Sequence, residues 1–158
     1  MANLFRSANH LEPILVLEYD IDADKESVFK AWTDMELFQK WFCPTGFSIA
    51  KVEMLPEASG YFTVHMKSPE GQIYPTKGEY ILLEKPNRII YKDSWDDDRK
   101  DNEPIVTEIL FEQKNGHTTL KLFSSFNSTK QKETVMNSGI VEGWKMFFQN
   151  LNGLIGSK

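Results

Sequence analysis

The sequence is poor in the residues that most metal, redox and nucleophilic sites need. Its 158 residues include one cysteine, Cys43, and three histidines, His10, His65 and His117, in three separate parts of the chain. A single cysteine excludes an intramolecular disulfide and fits a reducing cytoplasm. The sequence also lacks a phosphate-binding loop, a dinucleotide fingerprint and a nucleophile elbow. We therefore expect no metal, no cofactor and no catalytic residue.

Long apolar runs and basic clusters are also missing. No apolar stretch approaches the roughly 20 residues of a membrane-spanning helix, so no membrane insertion is expected. The formal net charge is −5, without a basic cluster, which argues against nucleic acid as a partner. Residues 1–12 lack the basic start and apolar middle of a signal peptide, and we interpret them as an N-terminal extension. Residues 13–158 are predicted to form one cytoplasmic domain.

Alternation of apolar and polar residues is abundant and predicts an antiparallel sheet. A first strand is predicted over Ile14–Ile21, and two short helices follow it, the first capped by Asp24 and the second opening with a capping box over Thr33–Glu36. From Phe47 to Phe126 the period is two residues, interrupted by turn signals, which predicts about six further strands. Their predicted ranges are Ser48–Glu53, Tyr61–Met66, Ile73–Glu84, Arg88–Trp95, Ile105–Phe111 and His117–Phe126. Pro75 and Gly78 predict an edge position or a bulge early in the strand Ile73–Glu84.

The C-terminal segment has the period of a helix. Met136, Ile140, Trp144, Phe147, Leu151 and Leu154 recur at steps of four and three, which predicts one long amphipathic helix from about Gln131 to Ile155. Ser128 and Gln131 fit a capping box at its start. Gly139 and Gly143 lie within the predicted helix, on one face, where each costs roughly 1 kcal/mol relative to alanine. We expect this face to line a pocket or to contact a neighbouring helix.

A sheet of about seven strands curls, and one long amphipathic helix laid across its concave side buries both apolar faces. The predicted fold class is therefore α+β. The order of several motifs also resembles the family of homologues of the activator of heat shock protein 90 ATPase, within the START-like helix-grip superfamily. The motifs that carry this resemblance are Trp41–Phe47, Gly60–Phe62, Pro69–Gly71, Gly78–Tyr80, Pro86–Ile89, Thr118–Leu120 and Gly143-Trp144. The resemblance implies a cavity between the sheet and the helix, in a superfamily that contains ligand carriers, cyclases and cochaperone domains.

The cavity would be walled by aromatic residues and methionine, with a few polar groups to orient a ligand. The candidate ligand-binding residues are Phe62, Met66, Tyr80, Tyr91, Asp93, Trp95, Phe111, Ile140, Gly143, Trp144 and Phe148. The candidate entrance is formed by Trp41, Pro44, Gly46 and Phe47. The alternative is that these side chains fill an ordinary solid core.

Two positions, one histidine and one carboxylate, have a predicted orientation. His65 alternates with Phe62, Val64 and Met66, so we expect it on the outer face. Asp93 has the parity of Tyr91 and Trp95, so it faces either the interior, as an acid with a raised pKa, or the solvent if a bulge turns it outward. Tyr80 is its expected polar companion. Glu108 is a second carboxylate of interest.

The preferred hypothesis is a non-catalytic protein that binds a small hydrophobic molecule. One alternative is a module that contacts a chaperone or another protein, with the acidic loop Asp96–Asp101 as the contact for a basic surface. A second alternative is an enzyme of the cyclase or hydrolase type that uses acids in the cavity. It would require Asp93 to face inward, within reach of a second polar group.

Overall fold

The structure is a computed structural model, and it describes residues 13–100 and 102–156. The predicted N-terminal extension, residues 1–12, lies outside the described residues. The strands, in chain order, are β1 (Ile14–Ile21), β2 (Ser48–Met54), β3 (Tyr61–Lys67), β4 (Ile73–Glu84), β5 (Arg88–Trp95), β6 (Ile105–Lys114) and β7 (His117–Ser125). The helices are α1 (Lys25–Thr33) and α2 (Met35–Trp41) after β1, and α3 (Thr129–Asn137) and α4 (Ile140–Ile155) at the C-terminal end.

The strands form one curved, open antiparallel sheet in the order β1-β7-β6-β5-β4-β3-β2. Consecutive strands from β2 to β7 are neighbours because short turns connect them, and β1 pairs with β7 from Ile14 opposite Ser125 to Ile21 opposite Thr118. The predicted α+β class, with a sheet wrapped on the C-terminal helix and two short helices after the first strand, is confirmed.

The polar residues before the first three helices act as caps. Asp24 accepts a hydrogen bond from the backbone N–H of Ser27 (2.7 Å), and Ser128 accepts one from Gln131 (3.0 Å), as predicted. The start of α2 differs from the predicted box, because Asp34 rather than Thr33 is its N-cap and accepts from the N–H of Leu37 (3.2 Å).

The C-terminal helix is divided, and the prediction of one continuous helix from Gln131 to Ile155 is wrong. The helix α3 ends at Asn137, and Gly139 has a φ of 88°, in the left-handed region that ends a helix. Gly139 therefore lies at a junction rather than in a helix interior, and a new helix begins at Ile140. The break also changes which residue of α3 faces the interior. Val135 faces the interior, whereas Met136 is 37% exposed.

Strand β4 lies inside the sheet between β3 and β5, so the predicted edge position is wrong. Its irregularity comes later than expected, between Tyr80 and Leu82, where the register with β5 shifts. Pro75 is tolerated because it lies just beyond the last β4–β5 pair, Thr76 with Trp95, where a missing N–H breaks no ladder bond.

Part of the concave side is filled by a densely packed aromatic core. Trp32 packs against Trp41 (ring centroids 4.8 Å apart) and Trp144 (6.1 Å), and Trp144 stacks on Phe148 (5.3 Å). These contacts join α1, α2 and α4 over the middle of the sheet. The helix α3 contributes no buried residue, so the part of the concave side beside α3 is not filled by a core of this kind.

Candidate functional site

A cavity of about 480 Å³ lies between the sheet and the C-terminal helices. Its volume is within the range of roughly 300–1,000 Å³ that is typical of small-molecule sites. The apolar part of its wall consists of Phe42, Met66, Trp95, Ile105, Val135, Ile140, Trp144 and Phe147. The polar part consists of Thr76, Asp93, Ser94, Asn102, Glu103, Ser128, Lys130, Gln131, Thr134 and Ser138.

The cavity opens to solvent beside α3. Its exposed wall residues come from α3 and its flanks and from the segment between β5 and β6, and they include Ser128, Thr134, Ser138 and Glu103. The start of α3 is fixed to that segment, because Gln131 donates a hydrogen bond from Nε2 to the backbone oxygen of Glu103 (3.0 Å). The opening is therefore bordered by α3, with the junction at Gly139 at its far end.

Gly143 provides space on the helix side. It lines the cavity, and no heavy atom of the described residues, apart from its chain neighbours and the backbone of its own helix, lies within 4 Å of the position that a Cβ would take. Gly139 also has free space at that position, but its φ shows that its role is the turn between the helices.

Asp93 is the ionisable group in the inner part of the wall. It faces the cavity, so of the two predicted orientations the inward one is present. Its cross-strand neighbours are Gly78, which has no side chain, and Ile105, which is apolar. Among the described residues no side chain donates a hydrogen bond to its carboxyl group, and its own backbone N–H provides the interaction that favours the charged form. Burial outweighs this interaction and raises the pKa of Asp93 to about 7.

A smaller chamber of about 50 Å³ shares five wall residues with the main cavity: Asp93, Ile105, Val135, Ile140 and Trp144. Its wall contains the hydroxyl groups of Tyr91, Thr107 and Ser124, and the last two are hydrogen-bonded to each other (2.9 Å). Burial and the nearby Asp93 raise the pKa of Tyr91 well above its usual value, so this phenol stays neutral. Asp93 therefore lies where an apolar cavity meets a group of buried hydroxyls.

The structure places the predicted ligand-binding residues in two groups. Six of them line the main cavity: Met66, Asp93, Trp95, Ile140, Gly143 and Trp144. The others, Phe62, Tyr80, Tyr91, Phe111 and Phe148, do not line it, although Tyr91 lines the small chamber.

The filled part of the interior explains why several predicted residues lie away from the cavity. Phe62 lies over Gly78, so close that a Cβ there would overlap the ring, and it contacts Tyr80 and Tyr91 (ring centroids 5.5 and 5.2 Å away). This packing separates Tyr80 from the main cavity, and burial raises the pKa of its phenol. A void of about 10 Å³ remains there, next to Trp32, whose buried Nε1 has no hydrogen-bond partner among the described residues.

The predicted entrance residues also lie outside the cavity wall. Trp41 is fully buried in the aromatic core and donates a hydrogen bond from Nε1 to the backbone oxygen of Ala31 (2.9 Å). Phe47 packs against Tyr74 (5.7 Å), and neither Pro44 nor Gly46 reaches the cavity.

Several wall residues were not predicted, and most are polar. Gln131, Thr134 and Ser138 belong to α3 or its end, and the expectation of one continuous helix assigned the interior face to Met136 instead. The triplet Asn137-Ser138-Gly139, which is typical of a helix end, was the available signal. For the chamber, the available signal was Ser124, which has the same parity as the buried Leu120 and Leu122. A polar residue at such a core position indicates a hydrogen-bonded group in the interior.

The remaining reactive side chains have ordinary structural roles. His65 contacts Asp96 (2.8 Å) on the outer face, as its parity predicted. Glu108 is buried on the outer face, where it pairs with Arg88 (3.3 Å). Burial raises the pKa of the Cys43 thiol, which therefore stays protonated. Within residues 13–100 and 102–156, no group of three or more His, Cys, Asp or Glu side chains is placed to hold a metal ion.

None of the helices in the described part of the chain combines the length and apolar character that crossing a membrane requires.

Comparisons with known proteins identify the family and the fold. The family model described as Activator of Hsp90 ATPase homolog 1-like protein matches residues 22–156. The chain is similar in structure to protein Ms6760 from Mycobacterium smegmatis, with a TM-score of 0.84 and 17% identity over 92% of this chain and 91% of that one. It is also similar to protein NE0264 from Nitrosomonas europaea, with a TM-score of 0.80 and 23% identity over 89% and 92% of the two chains. Protein CV1439 from Chromobacterium violaceum gives 0.79 and 22% over 92% and 99%. Among curated proteins, none matches significantly.

Proposed function

The chain belongs to the Activator of Hsp90 ATPase homolog 1-like protein family, and from that premise we propose that it binds a small, mostly apolar molecule in the cavity. At the level of the family, the fold is that of a ligand-binding or cochaperone-like module. The observation that carries the proposal is the 480 Å³ space at Gly143, which the aromatic core leaves open.

Burial of apolar surface would supply the affinity. Trp95, Trp144, Phe42 and Phe147 form much of the apolar wall, and apolar area removed from water contributes about 25 cal/mol per Å² before the costs of association. Polar groups at Asp93 and in the small chamber would orient the guest.

The proposal is tested with the neutral fluorescent probe N-phenyl-1-naphthylamine and with native mass spectrometry of freshly purified protein. We expect the probe to bind with enhanced emission and energy transfer from Trp95 and Trp144, because both indoles line the cavity. A Gly143→Leu variant places a side chain inside the cavity and should weaken binding of the probe, whereas Gly153→Leu places the same side chain on an exposed part of α4 and should leave binding unchanged. The proposal fails if the wild-type protein neither binds the probe nor carries a guest after purification.

The alternative function is contact with a chaperone or another protein through the acidic loop. Two carboxylates of this loop already have a partner within the domain, because Asp96 contacts His65 (2.8 Å) and Asp97 forms an ion pair with Arg99 (2.6 Å). This internal pairing leaves less charge for a basic partner, so we place the alternative second. Replacing Asp96, Asp97 and Asp98 together by asparagine and repeating a pull-down from lysate tests it, since a basic partner that depends on the negative charge of the loop would be lost.

The enzymatic alternative requires a second polar group beside Asp93. Asp93 does face the cavity, but among the described side chains none is hydrogen-bonded to its carboxyl group, and the Cys43 thiol stays protonated. The second polar group that this alternative requires is therefore not bonded to Asp93 in the described part of the chain, and we place the alternative behind binding.

A further inference from the structure

The position of Asp93 restricts the chemistry of a guest. Among the described residues, the chargeable side chains in the walls around it are Tyr91 on β5, Glu103 before β6 and Lys130 on α3, and Tyr80 on β4 lies behind Phe62. A second, open cavity of about 420 Å³ also borders residue 93 and is lined by Lys77, Glu79 and Lys92, of which the last two are paired (3.5 Å). The helix α4 contributes no ionisable side chain to the main cavity. Glu103 and Lys130 are exposed at the opening, and the two phenols stay neutral. Asp93 is therefore the source of charge inside the cavity.

The sheet itself cannot satisfy this carboxyl group. Gly78 and Ile105, its two cross-strand neighbours, have no donor in their side chains, and Phe62 covers Gly78. The backbone N–H of Asp93 is then its one donor among the described residues, and a carboxylate with so few donors in a partly desolvated site costs free energy. The donors that would compensate this cost must enter from the cavity.

The charge of Asp93 favours a donor that is also a cation, because opposite charges add to the hydrogen bond. The indole faces add little to this preference, since Arg99 already lies over the ring of Trp95 (4.0 Å to its centroid) and Trp144 stacks with Trp32 and Phe148. A carboxylate guest would be repelled by Asp93, and an alcohol would gain a hydrogen bond without the attraction between opposite charges. The space of about 480 Å³ leaves room for an apolar body attached to the cation.

We propose that the guest is an amphiphilic amine, whose apolar body fills the cavity and whose protonated nitrogen contacts the carboxylate of Asp93. This inference rests on the proposed function and adds the chemical class of the ligand. Since burial raises the pKa of Asp93 to about 7, the empty site is protonated in mild acid, and an ammonium ion must displace that proton. Affinity for an amine should therefore rise from pH 5 to pH 8 and then level off, because simple alkylamines remain protonated across this range.

The test compares three probes with the same apolar body, octylamine, octanol and octanoate, by isothermal titration calorimetry below their micelle concentrations. At pH 8 we expect octylamine to bind about tenfold more tightly than octanol, the order of a charge-assisted hydrogen bond. Octanoate should bind most weakly of the three. Between pH 8 and pH 5 the affinity for octylamine should fall by up to about a hundredfold, because two units below its pKa about 1% of the carboxyl group is charged.

Asp93→Asn removes the charge at nearly constant shape, and Asp98→Asn removes a charge from the exposed loop outside the cavity wall. We expect the first variant to bind octylamine and octanol equally and without pH dependence, and the second to behave as the wild-type protein. The inference is overturned, while the proposed function stands, if octanol or octanoate binds as tightly as octylamine or if Asp93→Asn keeps the preference for the amine. If none of the three probes binds the wild-type protein, the proposed function fails together with it.

Discussion

Gly143 allows the cavity to be tested through the stability of the protein, without any ligand. It lies inside α4, and no described atom beyond its neighbours and its own helix backbone comes within 4 Å of the place that a Cβ would occupy. Because this position is open, Gly143→Ala adds a methyl group at no steric cost. Alanine then stabilises the helix because it reduces the conformational freedom of the unfolded chain.

The expected gain can be estimated from helix propensity. Glycine in a helix interior is about 0.8–1.0 kcal/mol less favourable than alanine, and a change of 1 kcal/mol shifts the melting temperature of a domain of this size by about 2–4 °C. Gly153 is the matched control, because it lies in the same helix, is exposed and also has free space around its Cβ position. We therefore expect both alanine variants to melt at about 2–4 °C higher than the wild-type protein in differential scanning calorimetry, at pH 7 and without ligand.

A solid interior would give the opposite result at Gly143. An extra methyl group in a well-packed core typically costs about 1–3 kcal/mol, so Gly143→Ala would then melt several degrees lower while Gly153→Ala still melted higher. That difference between the two variants would refute the cavity. A gain in stability in both alanine variants would support the cavity. Weaker binding of the fluorescent probe in Gly143→Leu but not in Gly153→Leu would then locate the cavity at α4.

Three further predictions concern the residues that shape the cavity. The folded-state pKa of Asp93, about 7, lies above its ordinary value of 3.8. The contribution of Asp93 to the free energy of unfolding is therefore fully present below pH 4, falls by at most roughly 4 kcal/mol between pH 4 and pH 7, and then levels off. Urea unfolding of Asp93→Asn should lack this decline, and an equal decline would show that another group causes it. Gly139→Ala should lower the free energy of unfolding by about 1–2 kcal/mol in the same assay because of the φ of 88°, and Gly139→Asn should lower it less. If both variants were as stable as the wild-type protein, a left-handed backbone at residue 139 would be contradicted. Gly78→Ala should destabilise the protein through overlap with Phe62, and adding Phe62→Leu should recover part of the loss, unless the strain arises elsewhere.

The strands were predictable because their faces differ in solvent exposure. Arg88–Trp95 and Ile73–Glu84 begin and end where the alternation predicted, and the parity of Asp93 with Tyr91 indicated the side of the sheet on which it lies. Parity failed to predict which inward residues line the cavity. Which inward residues line the cavity depends on how the side chains of neighbouring strands pack on one another, as Phe62 packs over Gly78. The alternation within a single strand does not contain that information.

The division of the C-terminal helix was not predicted because the apolar period continues across it. Met136 and Ile140 keep the spacing of one helical stripe, although Met136 is exposed and Ile140 lines the cavity. A glycine costs about 1 kcal/mol in a helix and is favoured where φ must be positive, so the same residue fits both interpretations. The preceding Asn137 and Ser138 favour the second interpretation, and the structure agrees with them.

The cavity and the turn at Gly139 are one feature of the fold. If the helix continued through residue 139, the apolar stripe would direct the long side chain of Met136 towards the sheet, next to Ile140. The turn instead presents Val135, Thr134 and Ser138, which are shorter than methionine, so space remains in front of Asp93 and Trp95. The aromatic core under α1 and α2 holds α4 in place without help from α3, which has no buried residue. The interior can therefore stay open beside α3 while the rest of the domain keeps the dense packing that stabilises it.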